Sequence, residues 1–255
     1  MTRRTRLLLE FGSPLLVLAA VAVISNLKLS YYFPPLQSVF ADFVGIWAEE
    51  QTRAGVWSSL VRLFQGLLLA TGIGVIGGVL LGLSRTASAM LMPIFDFLRC
   101  IPATALIPAS ILALGIGDAS KVLLITLVCL WPVLLNTMDG VAGVEPVAIA
   151  TSRAYRIRPG DRLFRILLPA ASPRIFSGMR TSMALALIMT VVTEMVAATD
   201  GLGAFTLAAQ RSFDITGMWA GILTLSILGY LLNLALAGIE HRLLHWYRRS
   251  REERT

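Results

Sequence analysis

The chain alternates long uncharged blocks with short charged stretches. Positions free of Asp, Glu, Lys and Arg run over 11–27, 63–84, 100–117, 122–138 and 217–239. A helix needs about 20 apolar residues to cross the hydrocarbon core, with a range of roughly 17–25. Each block therefore spans a bilayer or nearly does. A sixth stretch, 173–199, is interrupted by Arg180 and Glu194 but is otherwise apolar. The pattern predicts an all-α, polytopic membrane protein. Its six transmembrane helices fall at about 11–27, 58–83, 92–115, 119–139, 173–199 and 217–241, in one domain covering 1–255. The blocks are too long for the strands of a membrane barrel.

The connections are as informative as the spans. Phe33-Pro34-Pro35 reads as an extended breaker. After it, Leu36, Val39, Phe40, Phe43, Val44 and Trp47 recur with helical period, which suits a helix lying on the membrane interface. The second span carries Gly66, Gly72, Gly74, Gly77, Gly78 and Gly82. Small residues let helices approach closely in lipid, so tight packing is the expected role. The third span contains Pro93, Pro102 and Pro108. Interior prolines free backbone carbonyls, which membrane depth tolerates only beside protein or a water-filled cavity. A broken helix of this kind points to a solute path. Asp96 and Arg99 share a face there, either as a structural pair or as part of that path. In the fourth span Trp131-Pro132 predicts a kink.

A polar island then interrupts the oil. Residues 145–165 read EPVAIATSRAYRIRPGDRLFR and carry five arginines. Glu145-Pro146 suits a helix start, and a short helix to about Tyr155 follows. Pro159-Gly160 stops it, Asp161 caps a second short helix through Leu167, Pro169 breaks that one, and Ser172-Pro173 caps the fifth span. The expectation is a rigid loop over 145–169 that presents itself to a soluble partner. On the fifth span Glu194, with Thr190 and Thr193 nearby, is either a functional acid or a carboxyl satisfied by a neighbouring helix. A short helix near 204–212 precedes the last span, which ends in a basic cluster with Trp246 and Tyr247 at an interfacial belt.

Charge sets the expected topology. With the amino terminus inside, sixteen of the 22 Lys and Arg residues fall on inside segments. That bias predicts cytoplasmic termini and a cytoplasmic 145–169 loop. The arginines are spread over membrane edges, so the net charge of +7 does not indicate a nucleic-acid partner. Residues 1–27 are read as a retained span rather than a signal peptide, because no polar spacer sets off a mature start. Cys100 and Cys129 both lie in predicted spans, His241 and His245 sit among arginines, and no metal-ligand spacing exists. No Walker-type glycine loop, GxSxG or HExxH is present. A competing reading is a multi-span membrane enzyme or scaffold with a site at Asp96, Arg99 and Glu194; others are an exporter half or a stand-alone carrier.

Several segments in order resemble one family. They are Ser58-Ser59-Leu60-Val61-Arg62 with the glycine run to Arg85; Pro93 through Arg99-Cys100-Ile101-Pro102; Leu114-Gly115-Ile116-Gly117 with Ser120-Lys121; Ile166-Leu167-Leu168-Pro169-Ala170-Ala171-Ser172-Pro173; Gly178-Met179-Arg180; Glu194-Met195; Gly201-Leu202-Gly203; and Arg242 to Trp246. The chain resembles a permease subunit of a binding-protein-dependent ABC importer of the nitrate/sulfonate/taurine type. The family's loop pattern is Glu-Ala-Ala, three residues, Gly, nine residues, Ile-x-Leu-Pro. Aligned from Ile166, Leu168 and Pro169, its glycine falls at Arg156 and its Glu-Ala-Ala at Ala150, Thr151 and Ser152. The second half is kept and the first is lost. The resemblance implies a type I importer permease fold in the inner membrane. It implies a coupling segment including Glu145, Pro146, Ala150, Thr151, Ser152, Tyr155, Arg156, Ile166, Leu168 and Pro169, and a translocation path near Arg99, Pro102, Thr190 and Glu194. Implied partners are two ABC ATPase subunits that hold ATP and Mg, a second permease chain in a homodimer or heterodimer, and an extracytoplasmic solute-binding protein. No cofactor is expected on this chain. The implied solute is a small anion such as a sulfonate, nitrate or aromatic acid.

Overall fold

A small-residue stripe organises the bundle. The computed structural model describes residues 32–245; the expected first span at 11–27 and the basic end from Trp246 lie outside them. After the short helix α1 (Leu36–Ala48), α2 runs over Glu50–Gly82 and packs along α5 (Asp118–Ala142). Gly66, Ala70, Gly74, Gly78 and Gly82 recur every fourth residue, which puts them on one face of α2. A Cβ at Gly66 would meet the Ile125 side chain, one at Gly74 the Val133 side chain, and one at Gly82 the Met138 carbonyl. The backbones approach because nothing stands between them, as expected where van der Waals packing drives association in lipid.

Helix α8 (Leu168–Ala197) packs on α5 in the same way. Gly178, Ser182, Ala186 and Thr190 form a second every-fourth-residue stripe, all buried. Ser182 Oγ donates to the Cys129 carbonyl at 2.7 Å and Cys129 Sγ donates back to the Ser182 carbonyl at 3.2 Å. Cys129 is thus a small buried core residue. Pro132 removes one N–H from α5, and Asn136 Nδ2 binds the Pro132 carbonyl at 2.8 Å. So α5 is the central helix, clasped by α2 and α8, with Leu63, Leu67, Leu124, Ile125 and Met183 filling the gaps.

The third hydrophobic stretch is two helices. Helix α3 (Arg85–Arg99) starts on Ser84, whose Oγ accepts from the Ala87 N–H at 3.2 Å. It tolerates Pro93 but stops at Cys100. A 3-10 turn, Ala103–Leu106, leads into α4 (Ile107–Leu114), and the two halves meet at a bend of 77°. Pro102, itself extended, marks the break, since it lacks a helical donor and disfavours helical backbone before it, whereas Pro108 sits in the first turn of α4, where no such donor is needed.

The island departs from the expected breaks. Helix α6 (Pro146–Ala154) is followed by α7 (Pro159–Arg162), but the helix then continues through a π-turn, Leu163–Leu167, straight into α8. Pro169 does not end it, and Ser172-Pro173 does not cap a new helix. The widened turn lets the Leu168 N–H reach the Leu163 carbonyl, which absorbs Pro169. Pro173 leaves the Pro169 carbonyl without its donor, and Ser172 Oγ supplies one at 2.7 Å.

Helix α9 (Leu202–Arg211) and α10 (Ile215–Leu243) complete the described chain. Asp214 Oδ1 caps α10 by accepting from the Gly217 N–H at 2.9 Å. The start of α10 packs on α9 and α1, and Trp219 Nε1 donates to the Tyr32 carbonyl at 2.9 Å. Among the described residues the fold is all-α. Four helices are long and apolar enough to cross a membrane, and a fifth crossing follows if α3 and α4 together make one.

Candidate functional site

Two proline defects border one cavity. The break after Arg99 and the α5 segment around Pro132 line a space of about 380 Å³ with Arg99, Pro102, Val128, Trp131, Pro132 and Leu185. Both walls are places where proline deprives a backbone carbonyl of its helical donor. Arg99 Nη2 lies 2.9 Å from Asp96 Oδ1, and both side chains are about half exposed. The cavity therefore has apolar and aromatic walls and one guanidinium, whose carboxylate partner Asp96 is not part of the lining.

Thr190 and Glu194 lie elsewhere. Thr190 is buried in the α8 stripe and donates to the Ala186 carbonyl at 2.8 Å. Glu194 is 1% exposed and sits in an ion cluster at the end of the bundle where α2 begins. Arg62 is the hub, itself 3% exposed. Its Nε donates to Asp118 Oδ1 at 2.7 Å, its Nη1 to Glu194 Oε1 at 3.0 Å, and its Nη2 to Asp200 Oδ2 at 2.7 Å. Ser59 Oγ donates to Glu194 Oε2 at 2.9 Å and accepts the Leu202 N–H at 3.0 Å, while the Gly203 N–H donates to Glu194 Oε2 at 3.0 Å. The first N–H groups of α9, which have no partner within their own helix, are capped by side chains from α2 and α8. Gly201, at φ +112°, is required there, because a Cβ would stand 2.5 Å from Glu194 Oε2. Burial alone would raise the Asp200 carboxyl, but the bond from Arg62, with the charges of Arg62 and Lys121, holds it below the usual carboxylate range.

Of these residues, sequence reasoning singled out Glu194 and left open what it does. It missed Arg62 as a hub, together with Ser59, Asp118 and Asp200. The available signal was topological: the predicted threading puts positions 62, 118, 194 and 200 at the same bundle end. No hydrogen bond or ion pair among the described residues joins Glu194 to the Asp96–Arg99 pair.

The opposite bundle end carries α6. Glu145 precedes it, Pro146 opens it, and Ser152 is its buried residue, with Oγ donating to the Ile149 carbonyl at 2.7 Å. Ala150 and Thr151 are exposed, and Val147 and Tyr155 are 72% and 79% exposed. Ile166, Leu168 and Pro169 lie where the π-turn passes into α8, half buried against the bundle. Helix α6 ends in a Schellman motif. The Ile157 N–H reaches back to the Ser152 carbonyl at 3.0 Å, and the Arg156 N–H bonds the Arg153 carbonyl at 2.9 Å. The left-handed residue that this motif needs is Arg156, at φ +52°. The turn that glycine favours is formed without glycine, at a cost of about 1 kcal/mol for an L-residue.

Long apolar helices, a proline-broken span and an uncovered helix at one bundle end define a multi-pass membrane transport subunit. The model of the family described as "Binding-protein-dependent transport system inner membrane component" matches residues 70–245, and the chain belongs to that family. It is 30% identical over 246 residues to the taurine transport system permease protein TauC of Escherichia coli, covering 94% of this chain and 90% of that protein. It is 30% identical over 188 residues to the bicarbonate transport system permease protein CmpB of Synechococcus elongatus, covering 73% and 68%. A solved chain of the MetNI methionine ABC transporter, in an inward-facing conformation, shares the fold with a TM-score of 0.63 and 24% identity over 74% of this chain and 94% of that one. The chain is thus a non-enzymatic permease subunit of an ABC importer, which works with an ATPase and a solute-binding protein.

Proposed function

We propose that two permease chains, identical or different, join two ATPase subunits and an extracytoplasmic solute-binding protein. ATP and Mg are held by the ATPases. The termini and residues 145–169 face the cytoplasm, and the Arg62 cluster faces outside. ATP binding closes the ATPases, and α6 carries that movement into α5 and α8. The path then alternates between inward-facing and outward-facing states, a two-state element biased by nucleotide and by docked binding protein.

One observation carries this reading. Helix α6 offers Val147 and Tyr155 uncovered at one bundle end, yet it is tied stiffly to both neighbours. It follows α5 after a short turn at Gly143 and Val144, and its chain re-enters α8 as unbroken helix from Pro159. A load applied to α6 reaches α5 and α8 directly. An uncovered apolar patch on so rigid a mount suits a docking surface.

The test is reconstitution. The chain, its ATPase subunit and the solute-loaded binding protein are combined in liposomes, and ATP hydrolysis is followed. Hydrolysis should rise several-fold on adding the loaded binding protein and fall to the unstimulated rate with Val147→Asp. Stimulation that survives Val147→Asp unchanged would rule out coupling through α6.

The solute is proposed to be a small anion such as a sulfonate, nitrate or aromatic acid. The names of the relatives above support small acids, and a cavity lined by both Arg99 and Trp131 suits an anion with an apolar part. Arg99→Ala would remove the cation from the wall and leave its partner Asp96 unopposed nearby, whereas Asp96→Asn would free the cation. Uptake of the transported anion should drop about tenfold in the first variant and hold or rise in the second. Equal losses in both would argue against an anion path at this cavity.

A further inference from the structure

The coupling loop carries cations that the fold does not use. Among the described residues Arg153, Arg156, Arg158 and Arg162 form no ion pair, and only Arg165 has one, to Asp161 at 3.3 Å. Arg156, Ile157, Arg158, Asp161, Arg165 and Ile166 line an open depression of about 380 Å³. Three guanidiniums thus border a space that holds one carboxylate, itself already paired.

The position of Arg156 is telling. The family's loop pattern has an acid where this chain has Ala150 and a glycine where it has Arg156. Both differences move the loop toward positive charge. The turn does not call for arginine, since the left-handed backbone at φ +52° is the conformation glycine adopts without strain. A cation is therefore kept at a site where backbone preference opposes it. Strain of this sort is maintained when the side chain has a task. Arg156 directly follows Tyr155, the exposed end of the α6 face.

We propose that the Arg156 depression receives a carboxylate side chain of the ATPase subunit, and that this pairing, with the charge sense opposite to the family pattern, sets which ATPase the chain accepts. The inference rests on the coupling role proposed for α6. A guanidinium fork matches a carboxylate in two-point geometry. Three guanidiniums around one recess also favour an acidic partner over a neutral one through electrostatic complementarity. An anionic lipid headgroup offers related chemistry. The protein is favoured because the depression adjoins the uncovered α6 face.

The experiment measures affinity of the full-length permease, in nanodiscs with and without phosphatidylglycerol, for its ATPase subunit at 50 and 300 mM NaCl. Arg156→Gly should raise the unfolding temperature by about 2 °C while weakening ATPase binding about threefold at low salt. Arg156→Glu should weaken it about tenfold, with both losses shrinking at high salt. An acid-to-Lys change on the ATPase surface should rescue Arg156→Glu. A purely local turn role predicts the same gain in stability with unchanged binding, and unchanged binding would overturn the proposal. Losses seen only in discs with phosphatidylglycerol would assign the recess to lipid and overturn it too. Failure of the wild-type chain to bind the ATPase at all would instead remove the coupling role beneath it.

Discussion

Replacing Arg62 with alanine should unfold the chain or leave it poorly accumulated. The guanidinium answers three carboxylates from three parts of the chain, and Glu194 is almost wholly inaccessible. Deleting one partner of a buried pair costs about 3–5 kcal/mol, because the remaining charge stays buried without compensation. That is a large share of a typical total of about 5–15 kcal/mol. Arg62→Lys should rescue little: an ammonium is a point charge and cannot reach three acceptors in the planar directions that the guanidinium uses. Glu194→Gln should cost less, since the amide oxygen still accepts from Arg62 or Gly203. Thermal unfolding of the purified chains in detergent ranks the three. A wild-type melting temperature for Arg62→Ala would show that the cluster contributes nothing.

The cluster also shows where reading residues one at a time stops. The uncharged runs are long because the bilayer forbids exposed charge, so the run 122–138 falls inside Asp118–Ala142 and 217–239 inside Ile215–Leu243. Proline spacing likewise points to the broken helix, because a missing N–H has local consequences. Arg62 looked like one more arginine at a span edge; its role depends on Asp118 and Asp200, 56 and 138 residues away. No periodicity encodes such a meeting. The same limit explains Thr190. A hydroxyl on an apolar helix reads equally as path lining or as a packed small residue, and only the position of α5 decides. The prolines at 169 and 173 misled for another reason. A π-turn and the Ser172 hydroxyl supply what proline removes, and neither compensation can be inferred from proline rules alone.

Glycine placement leads to the second large effect. Gly72 and Gly78 lie six residues apart on α2 and are chemically identical, yet leucine should behave differently at each. A Cβ at Gly72 would meet nothing within 4 Å, whereas one at Gly78 would stand 2.6 Å from both the Leu134 carbonyl oxygen and the Thr137 Cβ. The oxygen belongs to the helix backbone, so no change of rotamer relieves the contact. Helix α2 would have to lift off α5 and lose the close approach along the whole stripe from Gly66 to Gly82. Overpacking costs about 1–3 kcal/mol where side chains yield, and a clash against backbone should exceed that range. Gly78→Leu should therefore lower the melting temperature by about 10 °C or more and cut uptake with it, while Gly72→Leu leaves both near wild type. The comparison isolates geometry, because helix propensity and added hydrophobic surface change equally in the two variants. Equal melting temperatures for the pair would mean that the α2–α5 interface is not held at the separation that this fold requires.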